Sequence, residues 1–274
     1  MLSWLLLALA ATIVVALALQ HWKQSRKLRR ARKPAAPRLP VVLAHGFLGF
    51  DEIELGNRKH PYFRGIGEQL ERAGAQLYCP RVPPASSISA RAARLADLIR
   101  AVPEPRVNIV AHSMGGLDAR YAISRLGLAD RVASLVTIGA PHLGTPLADA
   151  GHAVFGRITR LLRKLVDLTG FGDLTTEGMV KFNLEVPDAQ GVAYASVVGR
   201  SGRLRTNPLL WPSHLYLAEC SGPNDGVVPT TSQARGEVLR EIEADHWAQI
   251  GWGRGFDALS FYEELFRELR GRGF

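Results

Sequence analysis

The chain has 274 residues, of which 47% are hydrophobic and 22% are charged, and its net charge at pH 7 is +9. This composition is typical of a globular protein with a sizeable core and excludes an intrinsically disordered chain. The basic excess comes from residues 23–38, which hold eight Lys or Arg and no Asp or Glu, so the remainder is nearly neutral. The charge therefore gives no reason to expect a nucleic-acid partner.

The first segment, residues 1–22, carries no charged side chain and is long enough to cross about 30 Å of hydrocarbon as a helix. Trp4 and Trp22 stand near its ends, as interfacial tryptophans do. We expect a transmembrane anchor that is retained. A cleaved signal peptide is the alternative, but no basic stretch precedes the apolar residues, as such a peptide would require. Residues 23–38 then form a basic linker, either a solvated spacer or a contact with anionic lipid headgroups.

Charge placement also predicts the membrane topology. No Lys or Arg precedes the apolar segment, whereas eight follow it within residues 23–38. The positive-inside rule therefore puts the remainder of the chain on the cytoplasmic side. Cys79 and Cys220 are too few for a disulfide framework or a zinc site. We expect two unpaired, buried thiols, which suit a reducing compartment, and one disulfide between them is the alternative. Export of the remainder of the chain is the alternative.

Residues 39–274 predict one α/β domain in which short apolar runs alternate with amphipathic segments. The predicted strands cover residues 40–46, 75–80, 106–113, 132–141, 192–199 and 214–220. The predicted helices cover residues 64–74, 89–102 and 256–270. Strands separated by helices indicate βαβ units, and hence a mainly parallel sheet flanked by helices.

Residues 147–181 interrupt this alternation. Apolar residues fall on one helical face of this segment, and four basic residues fall on the other. This pattern fits an ordinary helix that covers the core. It equally fits a mobile lid over an active site, able to lie against a lipid surface.

One serine stands between a strand-like run and a helix-like segment in NIVAHSMGGLDARY, residues 108–121. The pattern G-x-S-x-G is a nucleophile elbow, in which a sharp turn exposes the serine hydroxyl above the sheet. Here Ala111 replaces the first glycine and Gly115 supplies the second. Ser113 is thus a candidate nucleophile, and a structural strand–turn–helix remains the alternative.

A nucleophilic serine needs an acid, a base and an oxyanion hole. Asp225 lies in the loop CSGPNDGVVP and His246 in IEADHWAQIG, so the order serine, acid, histidine is kept. His214, at the start of a predicted strand, is the weaker candidate base. The backbone N–H groups of Met114, after the serine, and Phe47, after an early strand, are candidate oxyanion donors. We expect the neighbouring His45 to fix the Phe47 loop by hydrogen bonding.

Together these motifs resemble the bacterial triacylglycerol lipases of the Pseudomonas/Burkholderia type, from about residue 39 to the C-terminal helix. In chain order the motifs are VVLAHGFLGFD, AHSMGG, IGAPHLGTPLAD, VKFN, PNDGVVP and DHW. The resemblance implies the α/β-hydrolase fold, carboxylic-ester hydrolysis and a lid in residues 147–181. It also implies roles for Ser113 as nucleophile, Asp225 as acid, His246 as base, and Phe47 and Met114 as oxyanion donors.

Two departures concern the calcium ion that this family usually carries. Ala248 stands where those lipases have an aspartate ligand, and residues 196–224 contain no Asp. Calcium prefers several oxygen ligands, including carboxylates, so we expect neither a calcium site nor another cofactor.

The sequence thus predicts a membrane-anchored serine lipase or esterase that acts on acylglycerols or other fatty-acyl esters through an acyl-enzyme. An acyltransferase using the same intermediate is one alternative. A non-catalytic, membrane-tethered lipid-binding protein is the other. The expected partners are the ester substrate and the lipid membrane, and no obligate protein partner is expected.

Overall fold

The computed structural model describes residues 36–47, 52–55, 58–151, 169–253 and 255–274. Its strands, in chain order, are β1 (Val41–Ala44), β2 (Glu52–Leu55), β3 (Arg58–Pro61), β4 (Leu77–Tyr78), β5 (Val107–His112), β6 (Val132–Ile138), β7 (Ala193–Arg200) and β8 (Glu237–Glu243). Six of them form a sheet in the order β4-β1-β5-β6-β7-β8, and every neighbouring pair in it is parallel. The predicted parallel sheet is confirmed. The strands β2 and β3 form a separate antiparallel hairpin.

Helices connect these strands and cover the sheet. In chain order they are α1 (Ile66–Arg72), α2 (Ile88–Arg100), α3 (Met114–Arg125), α4 (Thr169–Asp173), α5 (Thr176–Glu185), α6 (Trp211–Ser221), α7 (Thr230–Gln233) and α8 (Ala258–Gly271). Side chains before two of the long helices fix where they begin. Ser87 accepts a hydrogen bond from the Ala90 N–H at the start of α2, and Asp257 accepts one from the Ser260 N–H at the start of α8.

The core lies on both faces of the sheet because alternate strand residues point to opposite sides. In β1, Val41 and Leu43 pack with residues of α1 and α8. Val42 and Ala44 pack with residues of α2 and α3 on the other face. A parallel sheet covered by helices on both faces accounts for the apolar, uninterrupted sequence of its central strands.

The structure corrects three expectations from the sequence. Residues 214–220, predicted as a strand, lie in α6, which begins with a proline in its first turn and buries His214 and Leu217 three residues apart. The strand β8 and the hairpin β2–β3 were not predicted. Cys79 and Cys220 are unpaired, as expected, but both are exposed rather than buried.

Other predictions fall wholly or partly outside the described residues. The anchor at residues 1–22 lies outside them, as does the linker up to residue 35. No helix among the residues that the structure does describe is long and apolar enough to span a bilayer. Of the lid region, residues 147–151 are helical, α4 and α5 follow, and residues 152–168 lie outside the described residues. Ala36–Phe274 forms one compact unit.

Candidate active site

Ser113 occupies a strained turn between β5 and α3. Its φ angle is +55°, and no other non-glycine residue in the described ranges has a positive φ. Such a backbone costs of the order of 1–3 kcal/mol and persists where the surroundings enforce it, commonly at functional sites. The turn is held by a 2.9 Å hydrogen bond from the Ser113 N–H to the Ile138 carbonyl. This conformation is the one expected of a nucleophile elbow.

Close packing explains why small residues surround the serine. A Cβ atom at Gly115 would lie 2.7 Å from the carbonyl oxygens of Ala44 and His45. A Cβ atom at Gly46 would lie 2.7 Å from the Cβ of Ser113 itself. Ala111 is completely buried. The turn thus tolerates alanine two residues before the serine but needs glycine two residues after it.

Asp225 and His246 form a buried hydrogen-bonded pair. The Nδ1 atom of His246 lies 2.8 Å from Oδ2 of Asp225, and a 2.8 Å backbone bond joins the His246 N–H to the Asp225 carbonyl. The other carboxylate oxygen accepts the N–H groups of Val227 and Val228 at 2.9 and 2.7 Å. Because a carboxylate only accepts, Nδ1 of His246 carries the proton and Nε2 is left free to act as a base.

The serine lies beside this pair. His112, the last residue of β5, contacts His246 with 4.4 Å between ring centroids and the rings tilted by 49°, and Ser113 is the next residue in the chain. Ser113 and the Asp225–His246 pair thus lie in one neighbourhood, linked through His112, at the carboxyl end of the parallel strands, where α/β sheets bind their ligands. His214 does not join them, because its Nδ1 bonds Asn224 Oδ1 at 2.8 Å.

The loop after β1 carries the candidate oxyanion donor Phe47. His45 Nδ1 lies 3.0 Å from the Gly46 carbonyl, and its Nε2 accepts the Val82 N–H at 3.3 Å, so His45 stabilises the loop as expected. The Phe47 ring lies 6.1 Å from that of Phe171. Met114, the other candidate donor, is the first residue of α3, so its N–H has no intrahelical acceptor.

Arg91 fixes the same loop, and sequence reasoning did not find it. Its guanidinium donates to the carbonyls of His45 and Gly46 at 2.8 and 3.2 Å and pairs with the buried Asp118 at 2.8 Å. Burial raises the pKa of Asp118 to about 7, although the charge of Arg91 opposes the rise. The direct ion pair with Arg91 favours the ionised form of the Asp118 carboxylate. The only sign of this role of Arg91 in the sequence is that a charged residue stands on an apolar helix face, in SARAARLADL.

Tyr62 and His112 form a second buried hydrogen bond beside the catalytic pair. The Tyr62 hydroxyl lies 2.7 Å from Nδ1 of His112 and also bonds the backbone of Gly46. Burial lowers the pKa of His112 well below its usual value, and His246 lowers it further. The His112 ring is therefore neutral at neutral pH.

The residues after His246 do not fit a calcium site. Ala248 offers no side-chain oxygen. The nearby Asp245 is buried, and its carboxylate accepts the N–H groups of Asn207, Trp247 and Ala248 at 2.7, 3.0 and 2.7 Å. Within the described ranges, no three His, Cys, Asp or Glu residues are grouped as metal ligands would be.

Comparisons with known proteins identify the family of the chain. Residues 40–156 match the α/β-hydrolase fold family. A triacylglycerol lipase of Vibrio cholerae is 32% identical over 81% of this chain and 82% of its own length. A triacylglycerol lipase of Pseudomonas fragi is 28% identical over 86% of this chain and 97% of its own length.

Solved structures show the same fold. A metagenomic carboxyl esterase, 20% identical, matches 87% of this chain and 77% of its own with a TM-score of 0.72. The mature lipase BlEst2 of Bacillus licheniformis, 22% identical, matches 85% of this chain and 93% of its own with a TM-score of 0.68. The chain belongs to the bacterial triacylglycerol lipases of the α/β-hydrolase superfamily.

Proposed function

We propose that this serine hydrolase cleaves fatty-acyl esters, including acylglycerols, through a catalytic triad of Ser113, Asp225 and His246. The observation that carries the proposal is the buried 2.8 Å bond between Asp225 and His246, beside a serine with a positive φ at the end of a strand. The substrate class follows the relatives, which are named triacylglycerol lipases.

The reaction follows from the roles of these groups. Nε2 of His246 takes the proton of the Ser113 hydroxyl as its oxygen attacks the ester carbonyl. The N–H groups of Phe47 and Met114 stabilise the oxyanion, and the N-terminus of α3 adds a favourable dipole. His246 then protonates the departing alcohol, and an acyl-enzyme remains. Water, activated by the same histidine, releases the fatty acid while Asp225 holds the imidazole tautomer.

Substitution S113A tests this proposal. We expect kcat for a p-nitrophenyl acyl ester to fall by about 10⁴- to 10⁶-fold and labelling by a fluorophosphonate to disappear, because both require the activated hydroxyl. S134A is a matched control, since Ser134 is also buried but bonds Asn108 near the other end of the strands. Near-normal hydrolysis by S113A would exclude the assignment. Product analysis with added alcohols separates hydrolysis from acyl transfer.

We also propose that the enzyme binds no structural calcium. The support is chemical: Ala248 cannot be a ligand, and both oxygens of Asp245 already accept backbone N–H groups. These direct bonds hold the His246 loop in place without an ion.

The location of the enzyme is proposed from the sequence. Residues 1–22 would anchor it in a membrane, and the eight basic residues in 23–38 would keep the hydrolase domain on the cytoplasmic side. Reporters fused after residue 274 test the topology. We expect a fluorescent protein to fluoresce and alkaline phosphatase to stay inactive there. The opposite pair of results, or a mature chain that begins near residue 19, would favour export.

A further inference from the structure

Gln249 lies in the short 3₁₀ turn after His246 and contacts the candidate acid directly. Its Nε2 donates a 3.0 Å hydrogen bond to Oδ2 of Asp225, the same oxygen that accepts from His246. Both Gln249 and Asp225 are completely buried. The Asp225 carboxylate therefore has four donors, and one of them is a side chain with no part in the triad.

Two glycines make the space that the Gln249 amide occupies. A Cβ atom at Gly199, in β7, would lie 2.1 Å from Nε2 of Gln249. A Cβ atom at Gly139, just after β6, would lie 2.3 Å from Oε1 of Gln249 and 3.1 Å from Oδ2 of Asp225. The ends of two neighbouring strands thus leave a slot that fits a primary amide beside the acid.

The other end of the amide faces His112. The Gln249 side chain and the His246 backbone lie where they can accept from the His112 ring, and both oppose the lowering of the His112 pKa. In the described part of the chain, Oε1 of Gln249 and Nε2 of His112 are buried and form no hydrogen bond of normal length and angle. The Gly46 backbone donates to the Tyr62 oxygen, so the Tyr62 hydroxyl proton is free to be donated to Nδ1 of His112. The proton of the neutral His112 ring therefore lies on Nε2, from which it can be donated to the amide oxygen.

We propose that Gln249 is a positioning residue that holds the acid through its hydrogen bond to Asp225 and joins it to the oxyanion loop through a buried chain of polar contacts. The chain runs from Gly46 through Tyr62 and His112 to Gln249 and ends at Asp225. It holds the carboxylate at the angle that His246 requires and couples that angle to the loop bearing Phe47. The proposal rests on the proposed function, since it concerns the geometry of the same triad.

Two variants remove the contact between Gln249 and Asp225 in different ways. Q249M deletes both polar ends of the side chain at similar volume. G199A keeps every polar group but puts a methyl group where the amide lies. We expect each to lower kcat for a p-nitrophenyl ester and the rate of fluorophosphonate labelling by about ten- to hundredfold with little change in KM, because a misplaced triad slows the chemical step. G202A is the matched control, because a Cβ atom there has no neighbour within 4 Å.

A pH profile distinguishes positioning from simple support of the fold. In Q249E, the introduced carboxyl group can still donate to Asp225 while it is protonated, whereas its ionised form repels Asp225. Activity relative to wild type should therefore fall as pH rises. The other titratable groups facing this contact are His246, His112 and Tyr62, which are present in both proteins.

The outcomes separate the two proposals. If either Q249M or G199A keeps the wild-type kcat and labelling rate, Gln249 does not position the acid, whatever its effect on the melting temperature. If the wild-type enzyme itself is not labelled at Ser113, the proposed function fails instead.

Discussion

Arg91 acts on the candidate oxyanion hole without touching a reacting atom. Its guanidinium joins three parts of the chain: the carbonyls of residues 45 and 46, the carbonyls of Pro83 and Pro84, and the carboxylate of Asp118. A planar fork of donors can reach all of them, whereas a lysine ammonium cannot. The residue is completely buried, so water cannot replace the bonds it makes.

We expect R91M to lose both stability and activity, because it leaves Asp118 as an unpaired buried charge that costs about 3–5 kcal/mol. The double variant R91M/D118L separates the two effects. Its urea midpoint should recover, since an apolar pair replaces the ion pair. Its kcat should stay about 10²-fold low, because the oxyanion loop has lost its donor. A double variant with wild-type kcat would show that Arg91 serves stability alone.

The triad candidates could be predicted from the sequence because each lies in a recognisable local pattern, and their order along the chain is diagnostic. The residues that hold the triad candidates in position could not be predicted in this way. Arg91 bonds mostly backbone carbonyls, which leave no mark in a sequence. Gln249 owes its place to Gly139 and Gly199, which lie 110 and 50 positions earlier. The sequence shows such residues only as polar groups in apolar surroundings.

At the scale of elements, prediction succeeded where burial determined the pattern. The strands β1, β5 and β6 are buried at every position, and their apolar runs were found. The helix α6 was mistaken for a strand because its exposed face is also apolar. Leu215 and Tyr216 are 46% and 41% exposed, so HLYLAEC lacks the polar positions that mark a helix period.

The strand β8 was missed for the opposite reason. It lies at one edge of the sheet, and most of its residues are exposed or only partly buried. Glu237 pairs with Arg272, and Arg240 pairs with Glu264 and Glu268 of α8. Charged side chains protect an edge strand from pairing with other chains, and they also hide it from a search for apolar runs.

At the scale of the whole molecule, the fold holds two of the histidines in its described residues neutral. In addition to His112, His142 is buried, with Nδ1 3.3 Å from an Arg120 nitrogen and Nε2 3.0 Å from the Thr137 hydroxyl. Burial lowers the pKa of His142 well below its usual value, and the charges of Arg120 and Arg235 lower it further. The unfolded chain protonates both rings below about pH 6.5, whereas the folded chain takes up these protons only at lower pH.

Acid should therefore destabilise the fold through these rings. Because the unfolded state binds more protons, the free energy of unfolding falls as pH drops below about 6.5, by about 1.4 kcal/mol per pH unit for each histidine. H142Q removes one titrating ring and keeps a side-chain oxygen that can accept from Arg120. We expect urea unfolding between about pH 7 and 5 to show a smaller fall in the free energy of unfolding for this variant than for the wild type. The difference should correspond to the contribution of one histidine. Parallel curves for the two proteins would mean that His142 is protonated in the folded state, against the burial and positive surroundings that hold it neutral.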